Sequence, residues 1–348
     1  MRTVIRDKYA KLDDVLRPVA TDARSGVTRM PESVLAADVG GTNIRVALVD
    51  ASGQILLREE SDTPKQGSAK EISKLISVLT GRILKEGSGF GPVREFGLAI
   101  SAIIDYANGS VLESPNLPHL NGFQLGPHVA NNTGLDVRLE NDATAAAIGE
   151  HWLGAGRGAT NVIGVTLGTG VGGGLILEGE VFHGIDGTAG ELGHICVEPE
   201  GPLCGCGSCG CVEQFASATA IVRQVKERIS EGHSSTLIRS ANFTAADVFN
   251  AAKDGDKLSI EVFETAGYYL GIALAGLVNV LNPEVIFITG GVSGAWEMFI
   301  TQTLQQVEKR AFQRPTERVK IVRGKLGDDA GILGAAKIVI AQAGKGSS

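Results

Sequence analysis

Apolar positions along this chain follow two periods, and each switch between them marks an element. Ser33–Asp50 reads SVLAADVGGTNIRVALVD, two short apolar runs broken by Gly40-Gly41, which predicts a β-hairpin. Ile55–Ser61 predicts a third strand. Between Glu71 and Glu86 the period changes. Ile72, Leu75, Ile76, Leu79 and Ile83 fall on one face, as in an amphipathic helix. Arg94–Ile104 reads as a buried strand ending at Asp105, followed by a long loop pinned by Pro115 and Pro118. Val137–Leu139 predicts a strand and Ala143–Trp152 an alanine-rich helix. Asn161–Leu167 is a further buried strand. After its glycine-rich turn come Leu175-Ile176-Leu177, a tight turn at Glu178-Gly179-Glu180, and Val181-Phe182. That order is strand, turn, strand; a dinucleotide fold would need a helix there. Further helices are predicted over Ala218–Ser230, from Thr244 as N-cap, over Ile260–Leu281 and over Ala330–Gln342. Strands are predicted over Pro283–Thr289 and Val319–Val322. Near the start, Ile5, Tyr9, Leu12, Leu16 and Val19 have the spacing of one short helix, disturbed by Pro18.

The pattern also repeats. AADVGGTNIRVALV and GVTLGTGVGGGLIL are both strand, Gly-Thr turn, strand, which implies two similar halves facing one cleft. The 348 residues allow two domains or one large one, and 43% hydrophobic with 20% charged residues is an ordinary globular balance. A net charge of −7 gives non-specific nucleic-acid binding no support. The uncharged run between Glu264 and Glu284 is long enough to span a bilayer. It contains Gly267, Gly271, Gly276, Asn279, Asn282 and Pro283 and feeds a strand, so a buried core helix and no membrane partner are expected. No apolar leader precedes Ser33, which predicts a cytoplasmic protein and argues against disulfides.

Three groups of residues suggest chemistry. Asp38 stands at a strand end just before Gly40-Gly41-Thr42, where amides can face phosphate and the carboxylate a metal's water shell; shaping the turn is the bland alternative. Asp142, with Asn141 beside it, stands where a strand meets a helix, as a catalytic base or simply an N-cap. Cys204, Cys206, Cys209 and Cys211 fall close together, with His194 and Cys196 upstream. Thiolate and imidazole on glycine-rich turns suit tetrahedral zinc, and three cysteines with a distant histidine is the easier geometry; unreactive thiols or a disulfide remain the alternatives. The turns at Gly168-Thr169-Gly170 and Gly290-Gly291-Val292 allow close approach of a phosphate or a flat ring, or are ligand-free bulges.

Read together and in order, DVGGTNIRVALVD, ENDATAAAIGE, GTGVGGGLI, AGELGH, C-x-C-x4-C-x-E and ITGGV resemble the ROK family of sugar kinases, and within it the bacterial glucokinases, over roughly residues 34–342. The resemblance implies an α/β fold of the actin-like ATPase (ribonuclease H-like) type, two α/β domains around an interdomain cleft. The smaller would comprise 34–142 and the C-terminal helix 330–348, the larger 143–329, with 1–33 an extension. It implies ATP-dependent phosphorylation of a hexose at its 6-hydroxyl, in a homodimer or homotetramer. Carried over by residue, Asp142 is the general base. Asn116, Asn141, Asp142, Glu191, His194 and Glu213 face the sugar. Asp38, Gly40, Gly41 and Thr42 form the first phosphate motif, Gly168, Thr169 and Gly170 the second, and Gly290, Gly291 and Val292 the adenosine side. Mg²⁺ bridges the phosphates, and structural Zn²⁺ is held by His194, Cys204, Cys206 and Cys211, with Cys209 a spectator. The Pro-Gly that relatives carry is missing from Leu98–Asp105, which bears on the choice of hexose. Kinases for N-acetylglucosamine or N-acetylmannosamine share the same parts. A sugar-responsive regulator is the reading from another class, and the residues ahead of Asp38 are too few for a winged helix-turn-helix.

Overall fold

The computed structural model describes residues 33–64, 67–240 and 242–343; the short helix expected around Ile5–Val19 lies outside them. The first sheet contains β1 (Val34–Val39), β2 (Asn43–Val49), β3 (Ile55–Asp62) and β4 (Glu95–Ile100). After a small hairpin of β5 (Ile103–Asp105) and β6 (Ser110–Glu113), β7 (Asp136–Asn141) completes it. The second sheet contains β8 (Val162–Leu167), β9 (Val171–Leu177), β10 (Glu180–Val181), β11 (Val285–Thr289) and β12 (Lys320–Arg323). The orders are β3-β2-β1-β4-β7 and β10-β9-β8-β11-β12. In each, three antiparallel strands are followed by two parallel ones, so the repeat seen in the sequence is a repeat of topology.

Among the described residues eight longer helices surround the sheets: α1 (Ala69–Glu86), α2 (Leu125–Thr133), α3 (Asp142–Leu153), α4 (Ala218–Ser230), α5 (Ala245–Lys253), α6 (Lys257–Leu281), α7 (Trp296–Arg310) and α8 (Ala330–Ala343). Helix α1 starts earlier than its apolar stripe because Ser68 and Glu71 form a capping box. Thr244 and Asp247 do the same for α5. Helix α6 begins at Lys257 because Asp256 accepts from Ser259 N–H at 2.9 Å. It alone among the described helices is long and apolar enough to cross a membrane, and it packs Phe263, Leu270, Leu274 and Val278 into the second core.

The strand expected over Arg94–Ile104 divides into β4 and β5, and the stretch after Asp105, expected as a long loop, contains β6, a turn at Pro118–Leu120 and α2. Strands of three and four residues carry too few alternations to be read as a period.

Two helices hold the sheets in register. Helix α3 puts Ala145 into the cluster under the first sheet and Ala147 into the one under the second. Only small side chains fit a helix pressed on both sides, which accounts for its run of alanines. Helix α8 crosses α3 so closely that a Cβ at Gly334 would overlap the Ala145 carbonyl. Gly334→Val should therefore destabilise the protein by about 1–3 kcal/mol or more, measured by urea unfolding. Buried Glu150 of α3 accepts from Ala155 N–H at 2.7 Å, and from Lys325 and Leu326 N–H at 2.7 Å each, tying α3 to the loop before α8.

Candidate active site

The acids gather where the central strands end. Asp38 near the end of β1 and Glu140 near the end of β7 flank Ala99 of β4 in register. Asn141 Oδ1 accepts from Ala143 and Thr144 N–H at 3.0 Å each, so Asn141 is the N-cap of α3 and Asp142 is not. Asp142 sits in the first turn, accepting from Ala143 N–H at 2.8 Å and paired with the Ser101 hydroxyl. Burial raises its pKa, against those two hydrogen bonds. Burial also raises Asp38 to about 6, helped by the charges of Asp142 and Asp328 and opposed by Arg45. Glu191 is raised by burial, lowered by His194, and raised again by Asp142 and Glu213. Asp38, Asp142, Glu191 and Glu213 thus belong to one acidic cluster. Carboxylates crowded in this way suit a divalent cation, whose charge would favour the ionised form.

The expected sugar-facing groups differ in how free they are. Asn116 donates to Ser101 Oγ at 3.1 Å and lies over Gly41, leaving its amide oxygen unengaged among the described residues. Asn141 spends its oxygen on the cap and one N–H on the Ala102 carbonyl at 3.2 Å. One amide hydrogen is left for a ligand. Glu213 accepts from Val171 N–H at 2.9 Å, committing one oxygen to the glycine turn. Glu191 precedes the turn Leu192–His194 and lies 3.8 Å from His194 Nε2.

Both Gly-Thr turns are anchored by residues later in the chain. The Gly40 carbonyl accepts from the Thr63 hydroxyl at 2.7 Å, and the Thr42 carbonyl from Thr63 N–H at 2.7 Å. The Gly168 carbonyl accepts from Ala218 N–H at 2.8 Å, and the Thr169 carbonyl from the Thr219 hydroxyl at 2.8 Å, so the first turn of α4 holds the second motif. Gly290 (φ 86°) lies on the Leu167 carbonyl, which brings Gly290–Val292 beside Gly168–Gly170.

His194, Cys204, Cys206 and Cys211 put one ligand atom each within 4.8 Å of one another. His194 Nδ1 is 3.5 Å from Cys204 Sγ, and Cys206 Sγ is 3.7 Å from Cys211 Sγ. Tetrahedral zinc with its usual bond lengths requires S···N edges of about 3.5 Å and S···S edges of about 3.8 Å. The donor set fits the metal, and all five cysteines are unpaired. Cys209 is exposed and outside the cluster. With Nδ1 turned to the sulfurs, His194 Nε2 faces Glu191 and the acidic cleft.

Sequence reasoning missed Ser101, which joins Asp142 to Asn116 and whose only signal is a hydroxyl in the run LAISAII. It also missed Glu140, Tyr106 and His183, a linked set behind Asn141.

Residues 34–342 match the ROK family. A glucokinase from Thermotoga maritima is 37% identical over 89% of this chain and 98% of its own length. A xylose repressor from Caldicellulosiruptor bescii is 29% identical over 97% of this chain and 84% of its own. Among solved structures, a ROK glucokinase from Streptomyces griseus in complex with glucose and AMPPNP superposes with a TM-score of 0.72 at 33% identity, covering 88% of this chain and 99% of that one.

Proposed function

Because the chain belongs to the ROK family, we propose that it is a cytoplasmic ATP-dependent hexose kinase that phosphorylates glucose at its 6-hydroxyl. The fold is the actin-like ATPase fold. In this reading residues 34–142 with 330–348, and 143–329, are the two bodies that close on the substrates. The observation that carries the proposal is Asp142, a buried carboxylate relieved of capping by Asn141 and raised in pKa beside Asp38. A carboxylate at that strand end can accept the O6 proton as the oxygen attacks phosphorus. Asn116, Glu191 and His194 orient the sugar hydroxyls, and the amides of the two Gly-Thr turns hold the phosphates. Mg²⁺, when bound with ATP, would neutralise phosphate charge, and Asp38 is the residue here that would help to hold it.

The test is ADP release with ATP and, separately, glucose, N-acetylglucosamine, N-acetylmannosamine, mannose and fructose, with polyphosphate as a second donor. Preference for glucose is expected. Preference for an N-acetylated sugar keeps the base and moves the substrate. The raised carboxylates also set the pH response. Asp142 must be ionised to accept a proton and Asp38 to hold a cation, so activity is lost as pH falls through their folded pKa values. The acid limb of log kcat/KM should lie near pH 6, where Asp38 titrates, and not in the ordinary carboxylate range near 4. A flat profile down to pH 5 overturns this assignment.

One observation favours a second reading, a sugar-responsive regulator: the match to the repressor extends over 97% of the chain, against 89% for the glucokinase. Sugar-dependent binding of the full chain to DNA from its own upstream region, with no turnover, would establish it.

A further inference from the structure

Behind the acidic cleft, three separate parts of the chain meet on one buried carboxylate. Glu140 is only 4% exposed at its side chain, yet both oxygens of its carboxylate are engaged. Oε1 accepts from the Tyr106 hydroxyl at 2.6 Å and from Asn141 N–H at 2.9 Å; Oε2 accepts from His183 Nε2 at 2.9 Å. The Tyr106 and His183 rings lie 4.6 Å apart and are tilted at 56°. Tyr106 follows β5, in the small hairpin. His183 follows β10, at the start of the segment that runs to Glu191 and His194. Asn141 and Asp142 follow Glu140 directly.

The segment after β10 has little secondary structure of its own. The His183 carbonyl accepts from Ala189 N–H at 3.1 Å, and Gly187 (φ 87°) lies against the Tyr106 ring and the Ile104 carbonyl, where a Cβ would overlap the ring. The hairpin, the segment and the end of β7 are thus joined at one point. Beside them opens a cavity of about 820 Å³ lined by Tyr106, Arg138, Glu140, Trp152, His183 and Lys337, so this joint is not backed by solid packing.

We infer that Glu140 is a positioning residue: by gripping His183 and Tyr106 it locks the 183–194 segment, and with it Glu191 and His194, to the strand end that carries Asp142. Burying a carboxylate, even a hydrogen-bonded one, is a poor source of stability, because apolar groups of the same volume serve as well. What it supplies is a fixed geometry, here between the acid expected to bind sugar and the base expected to deprotonate it. The hydrogen bond to Glu140 raises the His183 pKa, against its partial burial.

The inference rests on the hexose-kinase reading of the cleft, and its test reads binding as well as turnover. His183→Ala, His183→Gln and Tyr106→Phe touch no group placed in the site. Sugar Kd is measured by calorimetry, with kcat, KM, Tm and zinc content in parallel. His183→Ala should weaken sugar binding and raise sugar KM by about tenfold or more, because a misplacement of an ångström is costly, while kcat changes less and zinc content not at all. His183→Gln, which keeps an N–H donor, should recover part of the loss; Tyr106→Phe should show a smaller one. A His183→Ala variant with lowered Tm but native Kd and KM would assign the cluster to stability alone and overturn the inference. So would a fall in kcat with KM unchanged. A native chain that binds none of the sugars overturns both this inference and the kinase reading; an active native chain with indifferent His183 variants overturns only this one.

Discussion

Asp142→Asn lowers kcat by about 10²–10⁴-fold while leaving sugar binding close to native, because the amide keeps the shape of the carboxylate but cannot take the O6 proton. The environment argues for so large an effect. Asn141 already supplies both capping bonds of α3, so the substitution does not touch the helix terminus. Asp142 Oδ1 accepts a backbone N–H that an asparagine oxygen can equally accept. Removing one negative charge also relieves Asp38 and Glu191, both of which Asp142 pushes up, so the variant should fold at least as well as the native chain. Loss of turnover with unchanged or raised Tm, and unchanged sugar Kd, is the signature to look for. Near-native kcat would show that another group is the base.

The second large effect is expected at the cysteine cluster. After extensive dialysis the protein should hold about one zinc per chain, since four-ligand N/S sites bind tightly. Cys204→Ser should lose the metal, and sugar KM should rise by about 10–100-fold, the usual cost of disturbing groups that orient a site. The route runs through His194. Its Nδ1 lies 3.5 Å from Cys204 Sγ and its Nε2 faces Glu191, so a ring freed from the metal no longer directs Glu191. Cys204 also lies 3.9 Å from Glu213 Oε1, and Glu213 in turn holds the N–H of Val171. Cys209→Ser should change neither zinc content nor KM, because that thiol lies outside the cluster. Metal-free protein that folds and turns over normally would remove the site from consideration.

Much of the fold was legible because its elements are long or strongly patterned. The stripe Ile72–Ile83, the boundaries of Ala218–Ser230 and the strand-turn-strand repeat all carry several periods of signal. Elements too short to show a period, such as β6, and the break that separates β5 from β4 were not legible. The site divides differently. Residues in motifs could be named from the sequence, but their commitments could not. That Asn141 takes the cap, or that Glu213 gives an oxygen to Val171, depends on which backbone donors lie nearby in space. Tyr106 and His183 stand 34 and 43 residues from Glu140, and the three left no joint pattern to find.

Helix α8 gives the order of synthesis a consequence. The face of the first sheet formed by Val34, Ala36, Ala47, Val49 and Ala99 is covered by Ile332, Leu333, Ala335, Ala336 and Val339, at the other end of the chain. A ribosome makes the sheet long before its cover, so that apolar face lacks the helix that covers it until Ala330 and the residues after it have emerged. Of the two sheets, the one made earlier is therefore covered later. Nascent chains stalled before Ala330 should be the species that chaperones hold, and emergence of α8 the event that frees them.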